Sequence, residues 1–243
     1  MSVLVVTGTG TGVGKTVVTA AVAALARDRG SRVAVVKPGQ TGVLPHEPGD
    51  LDDVRRLSLV DDVHEHARFP DPLAPAAAAR VRRLPPLDVA SSIDRVRTLA
   101  ADRDLVVVEG AGGLLVRYDD DGATIADWAR ALDAEVLVVV HASLGTLNHT
   151  ALTLEALAHR GLRLAGVVIG AWPAEPDLAS RCNLRDLETL AARPLGGALE
   201  DGAGGLDPAE FLLAARVGLG PGLGGAFDAR DFRQRHDPRE GPA

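Results

Sequence analysis

The sequence holds a single cysteine, Cys182, which excludes an internal disulfide and a cysteine-rich zinc site. Taken alone, Cys182 reads as an inert helix residue in a protein of a reducing compartment. Aromatics are scarce too, at 3% of 243 residues. A core must therefore be built from Val, Leu, Ile and Ala, as in parallel sheets covered by helices. Basic residues are outnumbered, and the formal net charge of −7 argues against a nucleic-acid or anionic-membrane surface. No basic segment with an apolar run behind it opens the chain, and no apolar run reaches membrane-spanning length. The expectation is a soluble, cytoplasmic protein. The seven histidines show no metal spacing: His64 and His66, two apart, suit neither one helix face nor a zinc pattern. A nucleophile-elbow serine is also missing, which sets hydrolase triads aside.

The most informative stretch present is residues 3–16, VLVVTGTGTGVGKT. A short apolar strand runs into a glycine-rich turn ending in Gly14-Lys15-Thr16, and an Ala-rich helical pattern follows over residues 17–29. Strand, turn, Lys-Thr and helix form the context of a phosphate-binding loop. Glycines let backbone N–H groups curl round phosphate oxygens, and the helix N-terminus adds partial positive charge. In such a loop Lys15 reaches the β- and γ-phosphates and the Thr16 hydroxyl sits on Mg²⁺. The strict motif wants glycine where Thr9 stands; the glycine is Gly8, one residue earlier. A dinucleotide fingerprint fails, because no register gives its third glycine and the second strand ends at Lys37 rather than at a carboxylate.

Strands are expected at 32–36, 105–108, 136–140 and 164–169 as well, with helices at 51–60, 87–101, 148–159 and 178–192 between them. Asp207-Pro208-Ala209-Glu210 has the cap, proline and acid of a helix start, and Thr124 with Asp127 resembles a capping box. The alternation predicts one doubly wound, mostly parallel α/β sheet of the P-loop NTPase type over residues 1–235. Residues 38–50 read as a Pro- and Gly-rich loop, 69–86 as a Pro-bounded excursion with a turn of helix in its alanine run, and 117–122 (RYDDDG) as a solvated turn. The last dozen residues are expected to fray, with 236–243 a disordered tail.

Ligands of such sheets bind beyond the carboxyl ends of the strands, which hold Thr7-Gly8, Lys37, Glu109, His141 and Gly170. Glu109 follows four apolar residues and could hold Mg²⁺ opposite Thr16. Asp50, Asp52 and Asp53 form an acidic cluster in which Asp50 could equally be a helix cap. Lys37 alone would be a solvated charge; beside a triphosphate it is a candidate for charge neutralisation.

Six stretches in order, TGTGTGVGKT (7–16), KPGQTG (37–42), PLAPA (72–76), EGAGG (109–113), LGTLNH (144–149) and VIGAW (168–172), resemble dethiobiotin synthetase. The family's loop has the same extra residue. The resemblance implies a homodimeric, Mg²⁺-dependent cyclo-ligase that uses ATP or another nucleoside triphosphate to join CO₂ to 7,8-diaminononanoate. Lys37 is then the active-site lysine, with Lys15 and Thr11 assisting. Thr16, Asp50 and Glu109 bind the metal. The nucleotide lies on Gly12, Val13, Gly14, Lys15, Thr16 and Val17, near Gly110, Ala111 and Gly112. Its base meets Gly170, Ala171, Glu200, Asp201 and Gly202. Thr41 touches the diamine, and Gly145, Thr146, Leu147 and Asn148 reach the substrate of the other subunit. Many relatives have acidic side chains where Gly10 and Gly12 stand, and a proline at Glu200, which leaves the preferred base open. Lys37→Ala is expected to fold and to lose turnover.

Two other readings compete. A partitioning ATPase switch shares the strand and loop, but carries a signature lysine where this chain has Gly10 and often a basic tail. A glutamine-dependent amidating synthetase needs a glutaminase domain, for which residues 173–243 are too short.

Overall fold

The computed structural model describes residues 2–238. Seven strands form one sheet, all parallel: β1 (Ser2–Gly8), β2 (Val33–Lys37), β4 (Val63–Glu65), β6 (Leu105–Gly113), β7 (Glu135–Val140), β8 (Arg163–Trp172) and β9 (Gly197–Glu200). Their order is β4-β2-β6-β1-β7-β8-β9. Two short strands, β3 (Gln40–Thr41) and β5 (Arg68–Phe69), pair with each other beside it.

The strands bury side chains on both faces, so they are runs of Val, Leu and Ile rather than alternations. On one face Leu4, Val6, Val35, Val107, Leu137, Val139 and Val168 pack under α1 (Lys15–Asp28), α2 (Asp50–Ser58) and α8 (Pro208–Gly218). On the other, Val5, Val36, Val108, Val138 and Ile169 meet α4 (Val89–Asp102), α5 (Ile125–Ala131), α6 (Thr146–His159) and α7 (Leu178–Ala191). Each fully buried Val or Leu contributes about 1.5–3 kcal/mol, and the small alanines of α1 let that helix lie close on the sheet. Among the described residues no helix is long and apolar enough to cross a membrane.

The expected strands and helices are present, with differences that have physical causes. Helix α1 starts two residues early, at Lys15, because Gly14 caps it in the left-handed region (φ 92°). Edge strands β4 and β9 are too short and polar to show a hydrophobic run. The turn of helix expected in the alanine run of 69–86 is present and longer, as α3 (Pro75–Arg82), started by Pro75 in its first turn. Gly49, not Asp50, caps α2, and its N–H donates to Asp52 Oδ2 at 2.7 Å. The Thr124–Asp127 box forms (Thr124 N–H to Oδ2, 2.7 Å). Two expectations are corrected. The 117–122 turn is not wholly solvated, because Tyr118 is fully buried. The chain end does not fray from residue 232, because α9 (Ala229–Arg235) packs Phe232 against Trp172, and His236 packs tilted against both rings. The remainder of the expected tail, 239–243, lies outside the described residues.

Candidate active site

The strand order puts β2, β6 and β1 side by side, so their carboxyl ends bring Lys37, Glu109 and the glycine-rich loop together. They line a cavity of 370 Å³ with Thr11, Gly12, Gly14, Lys15, Thr16, Val17, Thr41, Asp50, Ala111 and Gly112. The loop is held in shape by two left-handed glycines, Gly12 (φ 78°) and Gly14 (φ 92°). Gly14 lies so close to β8 that a Cβ on Gly170 would stand 2.0 Å from the Val13 carbonyl oxygen. Val13 itself is buried and faces Gly8, while Gly110 packs on Ile125.

Charge is concentrated in very little space. Glu109 is fully buried; its Oε1 accepts from Lys37 Nζ at 2.7 Å and from the Thr16 hydroxyl at 2.9 Å. Lys37, 3% exposed, also pairs with Asp50. Burial opposes the charged form of Lys37, but the two carboxylates outweigh it and hold the ammonium above its ordinary range. Lys15, 7% exposed, donates to the Gly10 carbonyl at 2.8 Å. Burial first, and the Lys37 charge second, lower its pKa to about 8. The second oxygen of Glu109 is buried with no partner. With the Thr16 hydroxyl and Asp50 it makes a set of hard oxygens suited to Mg²⁺ rather than zinc. No group of three or more His, Cys, Asp or Glu able to hold a metal occurs among the described residues. A cation here therefore needs phosphate or water to complete its shell.

A family model described as an AAA domain matches residues 2–202. An ATP-dependent dethiobiotin synthetase of Frankia casuarinae is 67% identical over 98% of this chain and 100% of its own length. One from Streptomyces coelicolor is 56% identical over the same shares. The chain belongs to the dethiobiotin synthetase family. A likeness to the septum site-determining protein MinD of Pyrococcus horikoshii, solved with Mg-ADP, shows the shared fold alone: 15% identity, TM-score 0.54, covering 88% of this chain and 92% of that one.

Dethiobiotin synthetase membership gives the remaining expected positions a frame; none of them lines the cavity, although Gly170 borders it through Gly14. Gly145, Thr146, Leu147 and Asn148 open α6, with Gly145 as its left-handed cap. Gly170 and Ala171 lie near the end of β8. Glu200 and Asp201 line a separate 510 Å³ hollow with Trp172. Gly202 begins a turn whose Gly204 packs on Val17, and the Arg56 guanidinium anchors that turn through the Gly204 carbonyl at 2.6 Å. Cys182 is an exposed residue of α7, and His64 pairs with Asp62. Sequence reasoning missed Gln40, whose Oε1 accepts from the Asp50 N–H at 3.0 Å and so fixes the start of α2. It missed Tyr118 as well. Neither has a local signal, since Gln40 meets Asp50 across an irregular loop and Tyr118 meets Ala111 across a bulge, contacts that no helix or strand periodicity marks.

Proposed function

We propose that this chain is an ATP-dependent dethiobiotin synthetase that closes a ureido ring on 7,8-diaminononanoate with CO₂, working as a cytoplasmic homodimer. The observation that carries the reading is the second buried lysine. A P-loop switch needs Lys15; here Lys37 comes from another strand and adds an ammonium to the same cavity. Two anions, a substrate carbamate and the γ-phosphate, must meet in this reaction, and two ammoniums offset their repulsion.

In this reading one amine takes CO₂ as a carbamate, which receives the γ-phosphoryl group as a carbamic–phosphoric anhydride. The second amine attacks the carbonyl carbon, closing the ring and expelling phosphate. Lys15 and Lys37 hold the transferring group while Thr11 borders it. Thr16, Asp50 and Glu109 would hold Mg²⁺, which would supply neutralisation of phosphate charge. Thr41 orients the diamine. The α6 N-terminus at Gly145–Asn148 suits the carboxylate of the substrate bound to the other copy. Leu144 and Leu152, 85% and 57% exposed beside and on α6, support a partner covering that face. Gly170, Ala171, Glu200, Asp201 and Gly202 border the base of ATP or another nucleoside triphosphate.

The test is nucleotide turnover with Mg²⁺ and bicarbonate, with and without the diamine, following product mass. Diamine-dependent release of phosphate, with a product heavier by the ureido carbonyl, is expected. Hydrolysis indifferent to the diamine would return the chain to the ATPase-switch reading.

A further inference from the structure

The ladder between β1 and β6 is regular from Ser2↔Leu105 to Val6↔Glu109, then jumps to Gly8↔Gly113. Three residues of β6, Gly110–Gly112, therefore stand opposite the single residue Thr7 and bulge out of the ladder. The bulge follows Glu109 directly, and Ala111 and Gly112 line the cavity. Within it the Ala111 N–H donates to the Tyr118 hydroxyl at 2.6 Å. Tyr118 is fully buried and packs tilted against Trp128, with ring centroids 5.0 Å apart and an interplanar angle of 53°. Its other edge packs on the second turn of the site: a Cβ on Gly39 would stand 3.3 Å from Tyr118 Cε1. Gly39 is two residues beyond Lys37. One ring thus touches both turns that carry the buried lysine–glutamate pair.

We infer that Tyr118 is a positioning residue, fixing the Gly110–Gly112 bulge against the Lys37–Gly39 turn so that Lys37 and Glu109 keep their separation through the reaction. Tyr118 need not touch a substrate to do this. An amide N–H sealed in a bulge has to find an acceptor, and the phenol oxygen supplies one that no main-chain group of the ladder can. Burial raises the phenol to about pH 12, so the oxygen stays a neutral hydroxyl throughout the working range.

The inference rests on the proposed function, and the two fail separately. Parent protein without diamine-dependent turnover would sink the function. Tyr118→Phe keeps the ring and removes only the acceptor. It should lower kcat about tenfold to a hundredfold, the cost of misplacing reacting groups. The nucleotide Kd should change less than kcat, because Gly12–Val17 wrap the phosphates and the Gly110–Gly112 bulge only borders them, and the Ala111 amide should exchange with solvent at least about tenfold faster in ligand-free protein. Trp128→Phe, which keeps the hydroxyl, should lower the melting temperature with kcat within about twofold of the parent. Tyr118→Phe with kcat or Ala111 exchange within about twofold of the parent overturns the inference. Equal kcat losses in the two variants also overturn it, since a loosened core would explain both. Should Tyr118→Phe not fold, the parent protein carries the test: the Ala111 amide is expected to be as protected from exchange as the amides of the β6 ladder, and an amide exchanging like an open loop refutes the inference.

Discussion

Removing Lys37 is the most informative perturbation, because the structure changes what it should do. The sequence reading expects Lys37→Ala to fold normally and lose turnover. The ammonium, however, is sealed between Asp50 and a Glu109 that has no exposure at all. Taking away one member of a buried ion pair strands the other, which costs about 3–5 kcal/mol. At about 2–4 °C per kcal/mol for a chain of this size, Lys37→Met should melt roughly 6–20 °C below the parent in metal-free buffer. Glu109→Gln added to Lys37→Met removes the stranded charge and should restore most of the loss, giving a favourable coupling in the double-mutant cycle. Millimolar Mg²⁺ should raise the melting temperature of Lys37→Met more than that of the parent, since the cation and the ammonium share carboxylates. Circular dichroism melts with and without EDTA read all of these. A Lys37→Met protein melting within about 2 °C of the parent would refute the reasoning, because an uncompensated buried carboxylate cannot be that cheap.

The lowered Lys15 pKa, about 8, implies that kcat/KM for the nucleotide falls as pH rises through about 8, where free protein loses the ammonium. A pH profile flat to pH 9 would show that Lys15 stays charged. For stability the sign is opposite: the unfolded chain holds this proton longer, so the Lys15 contribution grows from pH 8 to the ordinary lysine range. Gly170→Ala drives a Cβ to 2.0 Å from the Val13 carbonyl, so the loop must shift; isothermal titration should find nucleotide affinity down at least about tenfold, with stability lowered by about 1–3 kcal/mol. The single tyrosine should ionise near pH 12, read as absorbance near 295 nm. Because its folded pKa is raised, its stabilising contribution is complete below pH 10 and is lost between about 10 and 12. A midpoint near 10 in folded protein would mean that Tyr118 is exposed.

Local patterns in the sequence were enough to locate the glycine-rich loop, the apolar strands, the capping box at Thr124 and the helix start at Asp207. Each is written in residues a few positions apart, whose own φ preferences, capping oxygens or buried faces set the geometry. The P-loop lysine and threonine were legible for that reason. Lys37, Asp50 and Glu109 were legible only as strand-end and loop-end charges, strengthened by family resemblance; nothing local says that they form one ion cluster.

That cluster was decided by strand order. Lys37 and Glu109 are 72 residues apart, and they meet because β2 lies against β6. Packing of loops onto that sheet decides the Gly170–Val13 approach, Gln40 on the Asp50 amide, and Tyr118, whose surroundings in RYDDDG read as solvent until the β6 bulge leaves an amide for its hydroxyl to satisfy. Sequence determines periodicity, caps and turns because those are energies between near neighbours along the chain. Burial, ion pairing and the satisfaction of orphaned backbone groups are energies between neighbours in space, and only the packed sheet specifies which those are.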